Sequence, residues 1–370
     1  MNDVFVVTDT IFSPLGVNTT ENFQRLKMGD AGVRRHERPG MADQPFYASL
    51  FDPEEIAADS RYSKFERLLI ASIGDVVKTA GVDPADPRTI LILSTTKGNI
   101  SLLEQGIEDP VRIALSTSAG LVGRHFGFVH TPVVISNACI SGVLALMTGM
   151  RLIRSGRYDT AVVAGADVIS KFVLSGFGSF QAISAGPCKP FDRDRDGINL
   201  GEGAGAVVLS GSPRYRGSLR IRGGSVSNDA NHISGPSRTG EELAQAISRS
   251  LAEAGCSPGE IGFISAHGTA TLYNDEMEAR AITLAGLQTA PVNSLKGYYG
   301  HTLGAAGLIE SIVTLQSMRE NRVLPSPGYQ NNGVTMRLNV CTALLDTPLD
   351  HCLKTASGFG GCNAALVLSK

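Results

Sequence analysis

Cys139 is the residue whose surroundings best suit a nucleophile. It sits in Asn137-Ala138-Cys139-Ile140-Ser141-Gly142, between two apolar stretches of different period. Val133, Val134 and Ile135 form a short β-branched run, which predicts a strand covered on both faces. Val143, Leu144, Leu146, Met147, Met150 and Ile153 recur at helical spacing, and Gly156 can end that helix. Cys139 is therefore expected at a sharp turn that delivers a strand to a helix N-terminus. The free N–H groups and dipole there favour negative charge, so the turn is expected to favour a thiolate. A lone cysteine is more often inert core than a reagent, so other stretches must decide its role.

Three stretches bear on it. His267 ends a predicted strand in ISAHGTAT, residues 264–271. Lys296 and His301 lie in NSLKGYYGHTLGAAG, ahead of a helix rich in small residues. Phe359 stands in SGFGGCN, whose glycines leave backbone N–H groups open. A buried histidine alone is usually a satisfied core residue. Two histidines in glycine-flanked loops, with one cysteine at an elbow, suit Cys/His nucleophilic chemistry.

These residues need a scaffold, and the periodicity supplies one. Val4 to Thr8 reads as a strand, and Glu21 to Val33 as a short amphipathic helix ending near Gly29. Arg61 to Ala80 is a longer helix with Phe65, Leu68, Leu69 and Ile73 on its apolar face. Thr89–Ser94, Thr160–Ala164 and Ala204–Leu209 read as buried strands. Between the last two lie FVLSGFGSFQAIS, read as a loop, and the turn-rich PFDRDRDGINLGEG. After Gly211–Gly217 the same grammar returns. Ser218–Val226, Gly262–Ala266 and Ala290–Ser294 read as strands, and Glu241–Ala254, Asp275–Ala285 and Leu303–Arg319 as helices. The closing NAALVLS echoes GAVVLS at Gly205–Ser210. That repeat predicts two similar α/β halves, residues 1–215 and 216–370, joined as one body.

Composition narrows the class. The 370 residues are enough for a large core. Apolar residues at 42% and charged residues at 18% describe a globular chain. A net charge of −2, with no long basic run, argues against nucleic-acid binding. The six cysteines form no CxxC pair, so neither a disulfide framework nor a metal site is indicated, and a reducing cytoplasm is expected. His125 to Met150 carries no Asp, Glu, Lys or Arg, yet it already divides into strand, turn and helix. It reads as core and not as a membrane span.

The four motifs, in this order, resemble the elongating β-ketoacyl-acyl-carrier-protein synthases, condensing enzymes of the thiolase superfamily. The resemblance covers nearly the whole chain, including CKPFDRDRDGINLGEGAGAVVL and AHGTATLYND. It implies a thiolase-like layered αβαβα fold of two pseudo-repeated halves. It implies that Cys139 carries an acyl group as a thioester, while a malonyl group arrives on an acyl carrier protein. No cofactor of the enzyme's own is implied, since both substrates ride on carrier phosphopantetheine. His267 and His301 would donate N–H groups to the enolate left by loss of CO₂. The backbone N–H groups of Cys139 and Phe359 would hold a second oxyanion, and the Phe359 ring would gate the acyl group. Lys296 and Glu310 would be a supporting ion pair, and Asp275 a structural carboxylate near His267.

The resemblance also frames the alternatives. His301 in the third position favours the elongating type over an initiating synthase or a thiolase acting on coenzyme A thioesters. A non-catalytic, chain-length-determining partner of a heterodimeric synthase would lack the cysteine. A homodimer joined near Thr131–Ile135 is expected, or a heterodimer with a related subunit. Arg61, Lys64 and Arg67 share one helix and offer a basic face for an acidic carrier protein, or simply a solvated surface. Asp192 to Gly197 imitates a calcium loop, but Gly203 occupies the slot of the required Glu, so a salt-bridged turn is expected. Ile140, Ser357 and Cys362 depart from the family pattern and are expected to border the acyl tunnel. Fatty-acid, polyketide and aryl-polyene elongation all remain open.

Overall fold

Strands buried on both faces need helices on both sides, and the chain provides them. The structure, a computed structural model, describes residues 3–38, 40–57 and 59–370. Its main elements are β1 (Val4–Phe12), α1 (Thr19–Met28), α2 (Lys64–Ala80), β2 (Thr89–Ser94), α3 (Leu115–Phe126), β3 (Val133–Ile135), α4 (Ser141–Arg154), β4 (Thr160–Asp167), α5 (Lys171–Ser179) and β5 (Gly203–Ser210). There follow β6 (Arg220–Asn228), α6 (Glu241–Ala254), β7 (Phe263–Ser265), α7 (Leu272–Leu284), β8 (Pro291–Asn293), α8 (Ala306–Glu320), β9 (Asn339–Val340), β10 (His351–Gly358) and β11 (Cys362–Ser369).

The strands form one ladder in the order β9-β8-β7-β10-β11-β6-β1-β5-β4-β2-β3. From β1 outward, β5 and β4 join antiparallel, then β2 and β3 join parallel. From β6 outward, β11 and β10 join antiparallel, then β7 and β8 join parallel. The two runs are the same motif twice, meeting where β1 pairs with β6. GAVVLS and NAALVLS occupy the equivalent strands β5 and β11, so the sequence echo marks a real structural repeat.

Alternation along β2 shows the layering. Ile90 and Ile92 point into a central core with Val143 and Leu146 of α4 and Leu308 and Ile312 of α8. Leu91 and Leu93 point the other way, against Leu68 and Ile73 of α2 and Val122 of α3. On the far side, Ile264 and Leu353 meet Leu243 and Ile247 of α6 and Ile282 of α7. The order is helix, sheet, helix, sheet, helix. α4 and α8 fill the middle layer, and they touch closely because Gly142 faces the Leu308 backbone and Gly307 faces Val143.

Three local expectations change. β3 is an edge strand with all three residues only half-buried, not a strand covered on both faces, because only β2 pairs with it. Lys171–Ser179 is helical where a loop was expected; Ser170 caps it by accepting the Val173 N–H at 3.3 Å. α7 begins at Leu272, three residues earlier than its periodicity suggests.

Candidate active site

Cys139, His267, Lys296 and Phe359 all lie on turns just beyond the C-terminal ends of strands, and the two sheet runs bring those ends together. After β3, the chain reverses at Ala138, which takes a left-handed φ of 43°. Ser141 locks the elbow. Its Oγ donates to the Ala138 carbonyl at 2.7 Å and accepts the Asn137 N–H at 2.8 Å. The tip of β10 closes on this turn. A Cβ at Gly358 would lie 2.9 Å from the Cys139 nitrogen and 2.9 Å from Cys362 Sγ, so only glycine allows the approach.

Cys139 Sγ and ring nitrogens of His267 and His301 lie within 4.8 Å of one another. The rings stand edge to face, with centroids 5.2 Å apart at 81°. His301 Nδ1 accepts the Leu303 backbone N–H at 3.2 Å, so the proton of the neutral ring is on Nε2. That Nε2 is buried and has no partner. Burial, and then the charge of Lys296, holds both histidines well below their ordinary range, and Lys354 adds to the effect. They are uncharged hydrogen-bond donors at neutral pH.

The expected thiolate is not the resting form. Cys139 is partly open to the cavity, but burial of its sulfur pushes its pKa up to about 12, with Cys362 acting in the same direction. Lys296 and Lys97 act oppositely and more weakly. Desolvation is the largest influence, and it favours the thiol of Cys139.

Charged side chains hold the histidine loops from behind. Lys296 donates to the His267 carbonyl at 3.0 Å and pairs with Glu310, both fully buried or nearly so. Asp275 accepts the Thr269 N–H at 3.0 Å and the Phe191 N–H at 2.7 Å, tying the turn after His267 to the Phe191 segment. Burial raises its pKa to about 6.

Four contributors escape a reading by motif. Glu278 accepts the His267 and Gly268 N–H groups, both at 2.8 Å. Asp167, at the end of β4, accepts from Thr95 Oγ1 at 2.7 Å and from the Gly304 N–H at 2.7 Å, joining the polar loop after β2 to the start of α8. Asn199 supplies the carbonyl for the His301 N–H at 2.7 Å. Lys354 stands 2.7 Å from the second oxygen of Glu310. Glu278 and Asp275 fall three apart at the start of a helix and Lys354 interrupts an apolar strand, which are the signals that could have found them.

A cavity of about 450 Å³ reaches Cys139, His267 and His301. Phe359 lines it, stacked on Phe177 at 5.7 Å and edge-on to Phe180 at 5.3 Å. Ser357 also lines it and donates to Asn363 at 2.7 Å. Ile140 does not border it, contrary to expectation. Its side chain turns into the central core beside α4, where the start of that helix directs it. Cys362 lies behind Gly358, against the elbow.

Arg61, Lys64 and Arg67 each have a local partner, and Arg61 stays exposed. Arg61 pairs with Asp59 at 2.8 Å, Lys64 reaches the buried Glu202 at 2.6 Å, and Arg67 donates to the Ala57 carbonyl at 2.8 Å. The Asp192 carboxylate is spent on the N–H groups of Gln330, Asn331 and Asp194, so the calcium-like stretch is a hydrogen-bonded turn.

Residues 1–213 match the β-ketoacyl synthase N-terminal domain, and residues 219–330 match the C-terminal domain of the same family. The chain belongs to the β-ketoacyl synthase family. This β-ketoacyl synthase is an acyltransferase of the condensing type with the thiolase-like fold. It is 33% identical to 3-oxoacyl-[acyl-carrier-protein] synthase 2 of Vibrio cholerae, an alignment that covers 97% of each chain. It is 30% identical to the tetracenomycin polyketide synthase ketoacyl synthase alpha subunit of Streptomyces glaucescens, covering 84% of this synthase and 82% of that one. Its fold matches that of a solved complex of a ketosynthase with its chain length factor from Xenorhabdus doucetiae, with a TM-score of 0.91 and 26% identity, covering 100% and 98% of the two chains. Among the described residues, no helix of the synthase is long and apolar enough to cross a membrane.

Proposed function

We propose that this synthase condenses an acyl group held on Cys139 with a malonyl group delivered by an acyl carrier protein. The observation that carries the reading is the unpartnered Nε2–H of His301, buried beside the thiol and His267. A buried donor without an acceptor costs stability unless a ligand uses it.

In the first stage the Cys139 sulfur attacks the acyl thioester, and the thiol proton leaves with the departing carrier thiol. One thioester replaces another, so little driving force is needed. In the second stage the malonyl carboxylate departs as CO₂. Its bonding pair becomes a thioester enolate, whose oxygen accepts from His301 and His267. Each such donor contributes roughly 3–4 kcal/mol to the transition state. Neutral histidines suit this role because they donate without giving up a proton. The enolate carbon then attacks the acyl carbonyl, whose oxygen is held by the Cys139 and Phe359 N–H groups. Collapse releases the β-ketoacyl carrier product and regenerates the thiol by uptake of one proton.

Phe359 gates this site, and Lys296, Glu310 and Asp275 support it. The halves meet near residues 215 and 216. The half-exposed β3 edge, rich in β-branched residues, suits pairing with the same edge of a second copy, and a related subunit of chain-length-factor type fits the same edge. Light scattering distinguishes these from a monomer. The condensation itself is tested by supplying acyl-carrier and malonyl-carrier together and weighing the carrier product. A carrier lengthened by a β-keto unit supports the reading, and an unchanged carrier overturns it.

A further inference from the structure

Lys354 is a charged residue in the interior of β10, with no exposed surface. Its position opposite Ser265 in the ladder brings its ammonium to the end of β7. Nζ donates to the Ser265 carbonyl at 3.1 Å and the Ala266 carbonyl at 3.2 Å. Lys296 takes the next carbonyl, that of His267, at 3.0 Å. Two lysines thus hold three consecutive carbonyls and share one carboxylate, Glu310. A single lysine would already balance that carboxylate. A second buried cation is costly to keep and needs a compensating use.

We propose that Lys354 is a positioning residue for the condensation: with Lys296 it grips the end of β7, and it supplies the second positive charge that keeps His267 and His301 uncharged and donating. The inference rests on the reading of those histidines as enolate donors. The charged and titratable groups around the pair are Lys296 from the turn after β8, Glu310 from α8, Glu278 from α7, Asp167 from β4, Cys139 from the elbow and Lys354 itself. Glu278 is occupied by the His267 and Gly268 N–H groups and by Thr355 Oγ1 at 2.6 Å. The Lys354 ammonium raises the work of adding a positive charge on either ring, after burial and the charge of Lys296.

The test uses the full-length synthase, Lys354→Met and Lys354→Gln. Met removes grip and charge together, whereas Gln keeps a donor for the carbonyls and removes only the charge. CO₂ release from malonyl-carrier is followed from about pH 5 to about pH 8, and acylation of Cys139 by intact mass. The wild type is expected to hold its CO₂ release well below the free-histidine range of about pH 6.5. Both variants should begin to lose CO₂ release at higher pH than the wild type, by at least about threefold at the midpoint of the wild-type acid limb, while acylation stays within about threefold. Variants with the wild-type profile overturn the proposal. So does a wild-type acid limb already near about pH 6.5, which decides the matter even if neither variant folds. A wild type that releases no CO₂ at any pH strikes instead at the condensing reading itself.

Discussion

Leu303 donates its backbone N–H to His301 Nδ1 at 3.2 Å, and that bond decides which nitrogen of His301 faces the cavity. Leu303 takes a left-handed φ of 51° at this point, a conformation a leucine adopts only under constraint from its surroundings. The tautomer is therefore built into the turn before α8, and the free Nε2–H is ready before a substrate arrives.

Replacing His301 with Ala should separate the two stages. Loss of one enolate donor is expected to slow CO₂ release from malonyl-carrier by about 10²–10³. Acylation of Cys139 should persist, since the thiol and the elbow are untouched. Stopped-time intact-mass analysis beside a CO₂ assay reads both stages. Equal loss in both would contradict the assignment.

Glu310→Gln should be among the most damaging buried changes. It leaves Lys296 and Lys354 without their common counter-charge in a region closed to water. Breaking a buried pair from one side costs about 3–5 kcal/mol. Urea unfolding at neutral pH should show a loss of that order. A loss below about 1 kcal/mol would mean that solvent or a rearranged carboxylate already balances the lysines.

Stability should also fall on mild acidification. Folding lowers the pKa of His267 and His301, so as pH drops through about 6.5 the unfolded chain takes up protons that the folded chain refuses. Their contribution is complete above about pH 6.5 and is lost below it. Asp275 opposes them. Its folded pKa, raised to about 6, lets the folded chain bind a proton before the unfolded chain does. A variant with both histidines changed to Asn should lose less melting temperature between about pH 7.5 and about pH 5.5 than the wild type. A steeper loss in the variant would contradict this.

The α4–α8 contact carries a fourth expectation. Gly142→Ala sets a methyl group against the Leu308 backbone, where no side-chain rotation can relieve it. The helices must separate, at a cost of about 1–3 kcal/mol. Because α4 starts at the elbow, the same change should slow acylation of Cys139. A variant with unchanged stability and acylation rate would show that the two helices yield there.

The alternation in β2, the apolar period of α4 and the echo of GAVVLS in NAALVLS carried the layers and the repeat. The turn residues around Cys139, His267 and His301 carried the site, because glycine-rich motifs signal close backbone approach. The charge state of Cys139 was not legible. A helix terminus is a local feature, whereas burial raises the thiol's pKa, and the tip of β10 that closes on the elbow and the Cys362 that acts in the same direction lie more than two hundred residues along the chain. Lys354 escaped for a similar reason. Nothing near it in sequence shows that Glu310 and the end of β7 await its ammonium. Arg61 lies ahead of α2 while Lys64 and Arg67 lie in its first turn, and Asp59, Glu202 and the Ala57 carbonyl partner them individually.

The central claim is that Cys139 holds the acyl group while the malonyl group loses CO₂. It is tested most directly by incubating wild type and Cys139→Ala with acyl-carrier, then weighing the intact proteins before and after malonyl-carrier is added. The account predicts one acyl adduct on the wild type, discharged by malonyl-carrier as the β-ketoacyl carrier appears, and none on Cys139→Ala. An adduct of equal yield on Cys139→Ala, or a wild-type adduct that malonyl-carrier cannot discharge, would contradict it.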